Sequence, residues 1–301
     1  MPQSTAMLGL LTETSLHAGT GQMLSEIDLP IQREAHTDWP CVYGSAVKGA
    51  MRELAENNGH KTTWVDEVFG PDMAQNASEH AGALSISDAR LLLLPVRSLT
   101  GYFKWVTCPA LLHRLQADYR RLGLPEIQNL SFSDYQFSDN QALISKSQNE
   151  GDLFLEEFRF QAKSDERIND LINSIIKLMG RDKGQPLHLQ LVIVNSGMFA
   201  HLARYATPVN AHIAIDNDTK TVKRGALWYE ETLPPDTLLY TMLVAQKSRK
   251  KDSQKKADDI LGHIINELFS KHPYLQLGGN QTVGMGWCRV NVLRELRQEK
   301  K

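Results

Sequence analysis

The chain has 301 residues, of which 42% are hydrophobic and 23% charged, and its 33 Lys and Arg against 35 Asp and Glu leave a net charge of −2. This is the composition of an ordinary soluble protein of one large or two small domains, and it excludes a disordered chain or a freestanding basic nucleic-acid binder, so that any nucleic-acid role must rest on local charge. Cys41, Cys108 and Cys288 form no CxxC pair, the start MPQSTAMLGLL lacks a signal peptide's charged segment and cleavage site, and the dense apolar run Leu91 to Val96 is too short to cross a bilayer. The expectation is a cytoplasmic protein without structural zinc and without a membrane partner.

In chain order, Met7 to Thr14 is a strand candidate, followed by a long loop without period from Ser15. Loops of that length are functional or disordered. Here Pro30 and Pro40 stiffen it, Ile27, Leu29 and Ile31 alternate, and Trp39 and Tyr43 anchor it. Ser45 then reads as the N-cap of a helix whose Val47, Ala50, Met51 and Leu54 form one buried stripe. Residues 57–80 read as an irregular insertion with a turn at Phe69 to Asp72. The segment GALSISDARLLLLPVRSLTGYFKWVTCPALLHRL reads as a strand, a turn and a helix, with Thr107 as N-cap, Pro109 in the first turn and Gly123 behind Leu122.

Residues 124–151 carry no assignable element, and Leu153, Leu155, Phe158 and Phe160 suggest one strand with a break in alternation. Ile168 to Met179 repeats at helical spacing and stops at Gly180, whereas Leu187, Leu189, Leu191 and Ile193 alternate as a strand. A hairpin follows around Asp216 to Thr219, with a return strand at Leu238 to Val244. The basic run KSRKKDSQKK reads as solvated or flexible, the last helix as Ala257 to Lys271, and LQLGGNQTVGMGWCRV as a glycine loop before a terminal strand. The alternation fits an α+β, ferredoxin-like core with large insertions and a protruding hairpin.

Three places could carry chemistry. Lys48 near a helix N-terminus opposes the macrodipole, and an anion on the free amides there, with Lys48 and Arg52 on one face and Gly49 allowing close approach, would resolve the conflict; a plain solvated face is the other reading. Gly278, Gly279, Gly284 and Gly286 follow a helix and precede a strand, the reverse of the dinucleotide order, so they make either a plain turn or a close backbone approach to a ligand. Asp28 is a lone acid among apolar neighbours; one carboxylate holds a divalent ion only when substrate phosphates supply further ligands, and the simpler reading is an exposed loop acid. The histidines, including His17, show no metal-ligand spacing.

The segments IDLPIQREAHTDWPCVYGSAVKGAMR, SDARLLLLPVRSLTGYFKWVTCP, YATPVNAHIAIDNDTKTVKRGALWYEETLPPDTLLY and LQLGGNQTVGMGWCRV together resemble the backbone subunit of type III-B (Cmr) CRISPR effector complexes, in the RAMP superfamily. The resemblance covers about half of the chain, in order, from Leu8 to Val290. It implies a single RAMP domain over 1–301, an RRM-like palm with a thumb hairpin at about 205–232 that wedges the guide–target duplex, and cleavage of the target RNA at regular intervals. Asp28 matches the family's cleaving acid; His17, Glu230 and Glu231 are secondary candidates. Ser45, Lys48, Arg52, Lys220, Lys223, Arg224 and the four loop glycines would contact RNA.

The implied partners are guide CRISPR RNA, single-stranded target RNA, further copies head to tail and other Cmr-type subunits, and the implied cofactor is a divalent metal, Mg or Mn, held by Asp28 only together with RNA phosphates. Asp38 stands where such chains often have glycine, and Asn280 and Gln281 where acids are common. The reading that results is an RNA-guided endoribonuclease; the alternatives are a non-catalytic guide-RNA scaffold and a small-molecule α/β enzyme using the glycine loop.

Overall fold

The computed structural model describes residues 3–22, 26–71, 80–124, 138–180 and 187–294. Its elements are β1 (Ser4–Thr12), β2 (Cys41–Val42), α1 (Gly44–Asn57), α2 (Thr62–Phe69), β3 (Leu84–Ile86), β4 (Ala89–Arg97), β5 (Phe103–Thr107), α3 (Pro109–Leu122), β6 (Gln141–Ile144), β7 (Gly151–Leu155), β8 (Phe158–Ser164) and α4 (Ile168–Met179). They continue with α5 (Leu187–Gln190), β9 (Leu191–Val194), α6 (Ser196–Tyr205), β10 (Val209–Ile215), β11 (Val222–Glu231), β12 (Leu238–Ala245), α7 (Ala257–Phe269), β13 (Tyr274–Gln276) and β14 (Trp287–Leu293).

The heart of the large sheet is four antiparallel strands in the order β14-β1-β12-β4. With α1 between the first and second of these strands in sequence and α7 between the third and fourth, this is the ferredoxin-like winding. β1 serves both faces. Ala6, Leu8 and Leu10 pack with Val47 and Met51 of α1 and Ile260, Leu261 and Ile264 of α7, while Met7 and Leu11 join Leu112, Leu115 and Tyr119 of α3 and the α4 stripe. Burial on both faces explains why β1 is a continuous apolar run and not an alternating one. α4 lies so close that a Cβ at Gly9 would sit 1.8 Å from the Leu178 carbonyl oxygen, so only glycine fits there.

Beyond β4 the sheet continues through β5, β9, β6, β8 and β7, with β5–β9 and β6–β8 parallel. β10 and β11 form a separate two-stranded sheet, the hairpin. Its strands pair directly from Val209 and Glu231 to Ile213 and Leu227, which puts Val209, Ala211, Ile213, Leu227 and Tyr229 on one face and His212, Trp228 and Glu230 on the other.

Several expectations change. Ser45 lies inside α1: Tyr43 holds the N-cap position, and the Gly44 amide donates 2.7 Å to Asp88 Oδ1, so a carboxylate of the chain itself sits at this helix start. Residues 57–80 contain α2, and 124–151 contain β6, held between β8 and β9. The break after Leu155 is a reversal, with Glu156 at φ 50, so one expected strand is the β7–β8 hairpin. Leu187–Gln190 is helical and only Leu191–Val194 is a strand, because an apolar run this short fits either period. Cys108, not Thr107, caps α3, and Phe103–Thr107 is a separate strand ahead of it. Among the described residues no helix is long and apolar enough to cross a membrane.

Candidate functional site

The loop that holds Asp28 docks on the root of the hairpin. Leu29 donates its amide to the Tyr229 carbonyl at 3.0 Å and accepts from the Glu231 amide at 3.0 Å, a short parallel bridge along the edge of β11. Three successive residues of β11 then gather three separate segments. The Tyr229 amide donates 2.7 Å to Asp28 Oδ2. The Glu230 carboxylate accepts from Asn280 Nδ2 at 2.7 Å, and the Glu231 carbonyl accepts from His17 Nδ1 at 2.7 Å. Asp28, His17, Glu230, Glu231 and the glycine loop therefore meet around one strand end, although 201 residues separate Asp28 from Tyr229.

Their chemical availability differs. Asp28 is half-buried, and its Oδ1 has no protein partner among the described residues. His17 is 8% exposed, and because a carbonyl can only accept, its Nδ1 carries the proton and Nε2 of the neutral ring is the acceptor. Glu230 is buried with Oε1 engaged by Asn280. Glu231 is fully committed: Oε2 accepts from the Ile31 amide at 3.1 Å, and Oε1 accepts from Arg33 Nη2 at 2.5 Å and Thr207 Oγ1 at 2.7 Å. A carboxylate that already accepts three hydrogen bonds from the chain and is buried orders the site more than it serves a substrate.

The glycine loop is shaped by the chain's own crowding. Gly279 donates its amide to the His17 carbonyl at 2.8 Å. Gly278 has φ +77 and a Cβ there would fall 2.3 Å from that oxygen, while Gly286, at φ +82, would meet the Leu277 carbonyl at 1.9 Å. Both are thus required by packing against His17 and Leu277, whatever else the loop contacts; Gly284 faces open space. Two departures from the resembling sequences also acquire a cause. Asp38 and Asn280 both adopt φ +60, a conformation natural to glycine and tolerated by Asp and Asn. Asn280 supplies an N–H donor to Glu230 that an acid could not.

The expected RNA contacts separate into free and engaged cations. Lys48 lines a concavity of about 690 Å³ with Ser45, Gly49, Arg52, Phe69 and Gly70 and with one acid, Glu56, which pairs with Arg52; Lys48 itself makes no ion pair among the described residues. Burial, and then the neighbouring charges of Arg52 and Arg249, lower its pKa. Arg52, by contrast, is tied to Glu56 Oε1 at 2.8 Å, Asp66 Oδ1 at 3.0 Å and the Gly70 carbonyl at 2.5 Å, joining α1 to α2. Arg249, from the basic run, is the cation the sequence reading did not place here; the charge density of that run was its only signal. Lys220, Lys223 and Arg224 are exposed at the hairpin tip. No group of three or more His, Cys, Asp or Glu side chains among the described residues could hold a metal ion. A divalent ion fits here only as a two-party site, with Asp28 Oδ1 and, alongside it, oxygens of a polyanionic ligand.

A ferredoxin-like palm, a separate hairpin and a loop carboxylate fixed at the hairpin's root define the class of fold, an α+β palm with an inserted hairpin. The comparisons are specific. Residues 10–289 match the RAMP superfamily, and the chain belongs to it. It is 32% identical over 291 residues to the CRISPR system Cmr endoribonuclease Cmr4 of Pyrococcus furiosus, covering 95% of both chains. It is 27% identical over 320 residues to the CRISPR system CMR subunit Cmr4 of Saccharolobus solfataricus, covering 94% of both. The crystal structure of oligomeric Cmr4 from Pyrococcus furiosus superposes with a TM-score of 0.72 at 26% identity, over 97% of this chain and 98% of that one. A chain of the type III-B Cmr-beta complex bound to cognate target RNA, at 23% identity, shares the fold with a TM-score of 0.74 over 97% of each.

Proposed function

We propose that this chain is the repeated backbone subunit of a type III-B CRISPR effector complex. Copies stack head to tail along guide CRISPR RNA beside other Cmr-type subunits, and each cuts complementary single-stranded target RNA once per repeat. The observation that carries the reading is the Asp28 carboxylate, anchored to the hairpin root through Oδ2 and with Oδ1 unpartnered among the described residues, in a chain 32% identical over nearly its whole length to an endoribonuclease.

RNA contains its own nucleophile, the ribose 2′-OH, so the protein needs to splay a nucleotide into line and to assist proton transfer and charge. The hairpin between Val209 and Glu231 splays the duplex, with Lys220, Lys223 and Arg224 against phosphates at its tip. The helix-start concavity around Lys48 holds the guide backbone. Asp28 Oδ1 acts at the scissile nucleotide, and His17, whose Nδ1 proton is held by the Glu231 carbonyl so that Nε2 is the acceptor of the neutral ring, is the secondary candidate for proton transfer. A bound Mg or Mn ion would neutralise developing charge on the phosphate, held by Asp28 and RNA oxygens. Sizing the purified protein with and without a guide RNA tests the assembly: elongated RNA-bound particles support it, and a monomer indifferent to RNA rejects it.

A further inference from the structure

Among the described residues Asp28 is held by one hydrogen bond of its own, and the loop bearing it meets β11 through two backbone rungs, so side chains that tie the loop to the hairpin bear on its placement. Ion pairs fasten the loop to α3, Glu34 with Arg114, and to α6, Asp38 with Arg204, and one pair, Arg33 with Glu231, fastens it to the hairpin root. Arg33, five residues after Asp28, donates Nη2 to Glu231 Oε1 at 2.5 Å and to Thr207 Oγ1 at 3.4 Å, while its Nη1 reaches the Asp38 carbonyl at 2.7 Å and the Ala203 carbonyl at 3.0 Å. One guanidinium thus joins the Asp28 loop, the last turn of α6 and both roots of the hairpin. Glu231 completes the arrangement from the other side, since its Oε2 accepts from the Ile31 amide within the loop itself. The pair is shielded from water, with side chains 15% and 3% exposed.

We propose that Arg33 and Glu231 are positioning residues that set Asp28 against the hairpin, so that the carboxylate and the element that splays the RNA keep one distance in every stacked copy. The inference rests on the reading of Asp28 as the cleaving residue. Three physical points support it. The Glu231 carboxylate accepts three hydrogen bonds from the chain and its side chain is 3% exposed, so it is a strut and not a reagent. The ion pair spans the junction between hairpin and palm, where Thr207 and Thr232 are buried at the two roots. And the bonds are directional: a planar guanidinium with several fixed donors defines an orientation that a lysine ammonium would not.

The test uses the assembled complex with guide RNA. Arg33→Gln and the more conservative Glu231→Gln are compared with wild type for single-turnover cleavage, target affinity and thermal unfolding. Nitroxides at Glu26→Cys and Asn217→Cys, both exposed positions, report the loop-to-hairpin distance, and the native cysteines are all buried and will not take label. We expect cleavage to fall about tenfold or more, as a misplacement of about 1 Å can cost roughly 10²-fold, with target affinity within about twofold and a broadened loop-to-hairpin distance. Unchanged cleavage in both variants overturns the proposal. So does a cleavage loss with an unchanged distance distribution, or one that appears only together with lost target binding and a collapsed unfolding temperature. If Asp28→Asn in the same preparation still cuts, the reading of Asp28 fails, while the distance measurement still decides whether the pair holds the loop.

Discussion

Lys48 and Arg52 lie four residues apart on α1 and look equivalent in the sequence, but their surroundings demand opposite behaviour when each is replaced by alanine. Lys48 makes no ion pair among the described residues and has two cationic neighbours, Arg52 and Arg249, so a polyanion is the partner its charge favours. Removing it should leave stability nearly unchanged and lower the salt dependence of guide-RNA binding by about 0.7 in d log K/d log[salt] per bound copy, the value of one single-strand phosphate contact. Arg52 is half-buried and joins Glu56, Asp66 and the Gly70 carbonyl. Two partly exposed ion pairs at about 0.2–1 kcal/mol each and a charged hydrogen bond to a carbonyl add to roughly 2 kcal/mol, so Arg52→Ala should lower the unfolding temperature by a few degrees with little change in salt slope. The assay is filter binding of guide RNA across a salt series, with thermal unfolding of each variant alone. A reduced slope for Arg52→Ala at unchanged stability, or an unchanged slope for Lys48→Ala, would refute the division between a phosphate contact and a helix tie.

The same approach gives two further outcomes. Burial raises the pKa of Glu67, but hydrogen bonds from Lys255, Ser248 and Ser253 outweigh it and bring it down to about 2 from the ordinary 4.5. A depressed carboxylate stabilises the fold above its unfolded pKa and loses that contribution as pH falls, so wild type should lose up to about 3 kcal/mol relative to Glu67→Gln between about pH 5 and pH 2, measured by urea unfolding at each pH; parallel curves would remove Glu67 from the account. Replacing Ile213 to Lys223 with a short glycine linker should leave a folded chain, since Ile213, Ile215 and Val222 are 49%, 53% and 53% exposed and belong to neither core cluster. Regular spacing of cuts and RNA-dependent growth should be lost, and light scattering that still shows long RNA-bound particles would contradict the hairpin's role.

How much of this is legible in the sequence follows from range. Elements with a strong period of their own, such as the Ile168–Met179 stripe ending at Gly180 in a left-handed cap, are recovered within a residue, because local physics determines them. The hairpin turn is equally local: Asp216 Oδ1 accepts from the Asp218 and Thr219 amides. Short strands such as β2, β3 and β6 owe their existence to partners far along the chain and have too few residues to show a period. In the site, Asp28 stands out as an acid among apolar neighbours, but the roles of its partners do not. Glu230 and Glu231 are adjacent acids in sequence, and only the strand's alternation, which turns one toward Asn280 and the other toward Arg33, separates them. Arg33 carries no sequence signal apart from its place in the loop. Arg52 is legible only in part, because helical spacing reveals which face it shares with Lys48 and nothing about its ties to Asp66 and Gly70 of α2 and the turn behind it.

The central claim is that Asp28 cuts RNA while the rest of the chain holds it. Asp28→Asn is close to isosteric, keeps an acceptor for the Tyr229 amide and leaves Leu29 and Ile31 in place, so the loop should stay docked. Complexes assembled with this variant, a guide RNA and a labelled complementary target should bind guide and target as wild type does and yield no regularly spaced products, with or without Mg or Mn. Products of wild-type length and rate from the variant would show that the cleaving group lies elsewhere and leave this chain as a scaffold.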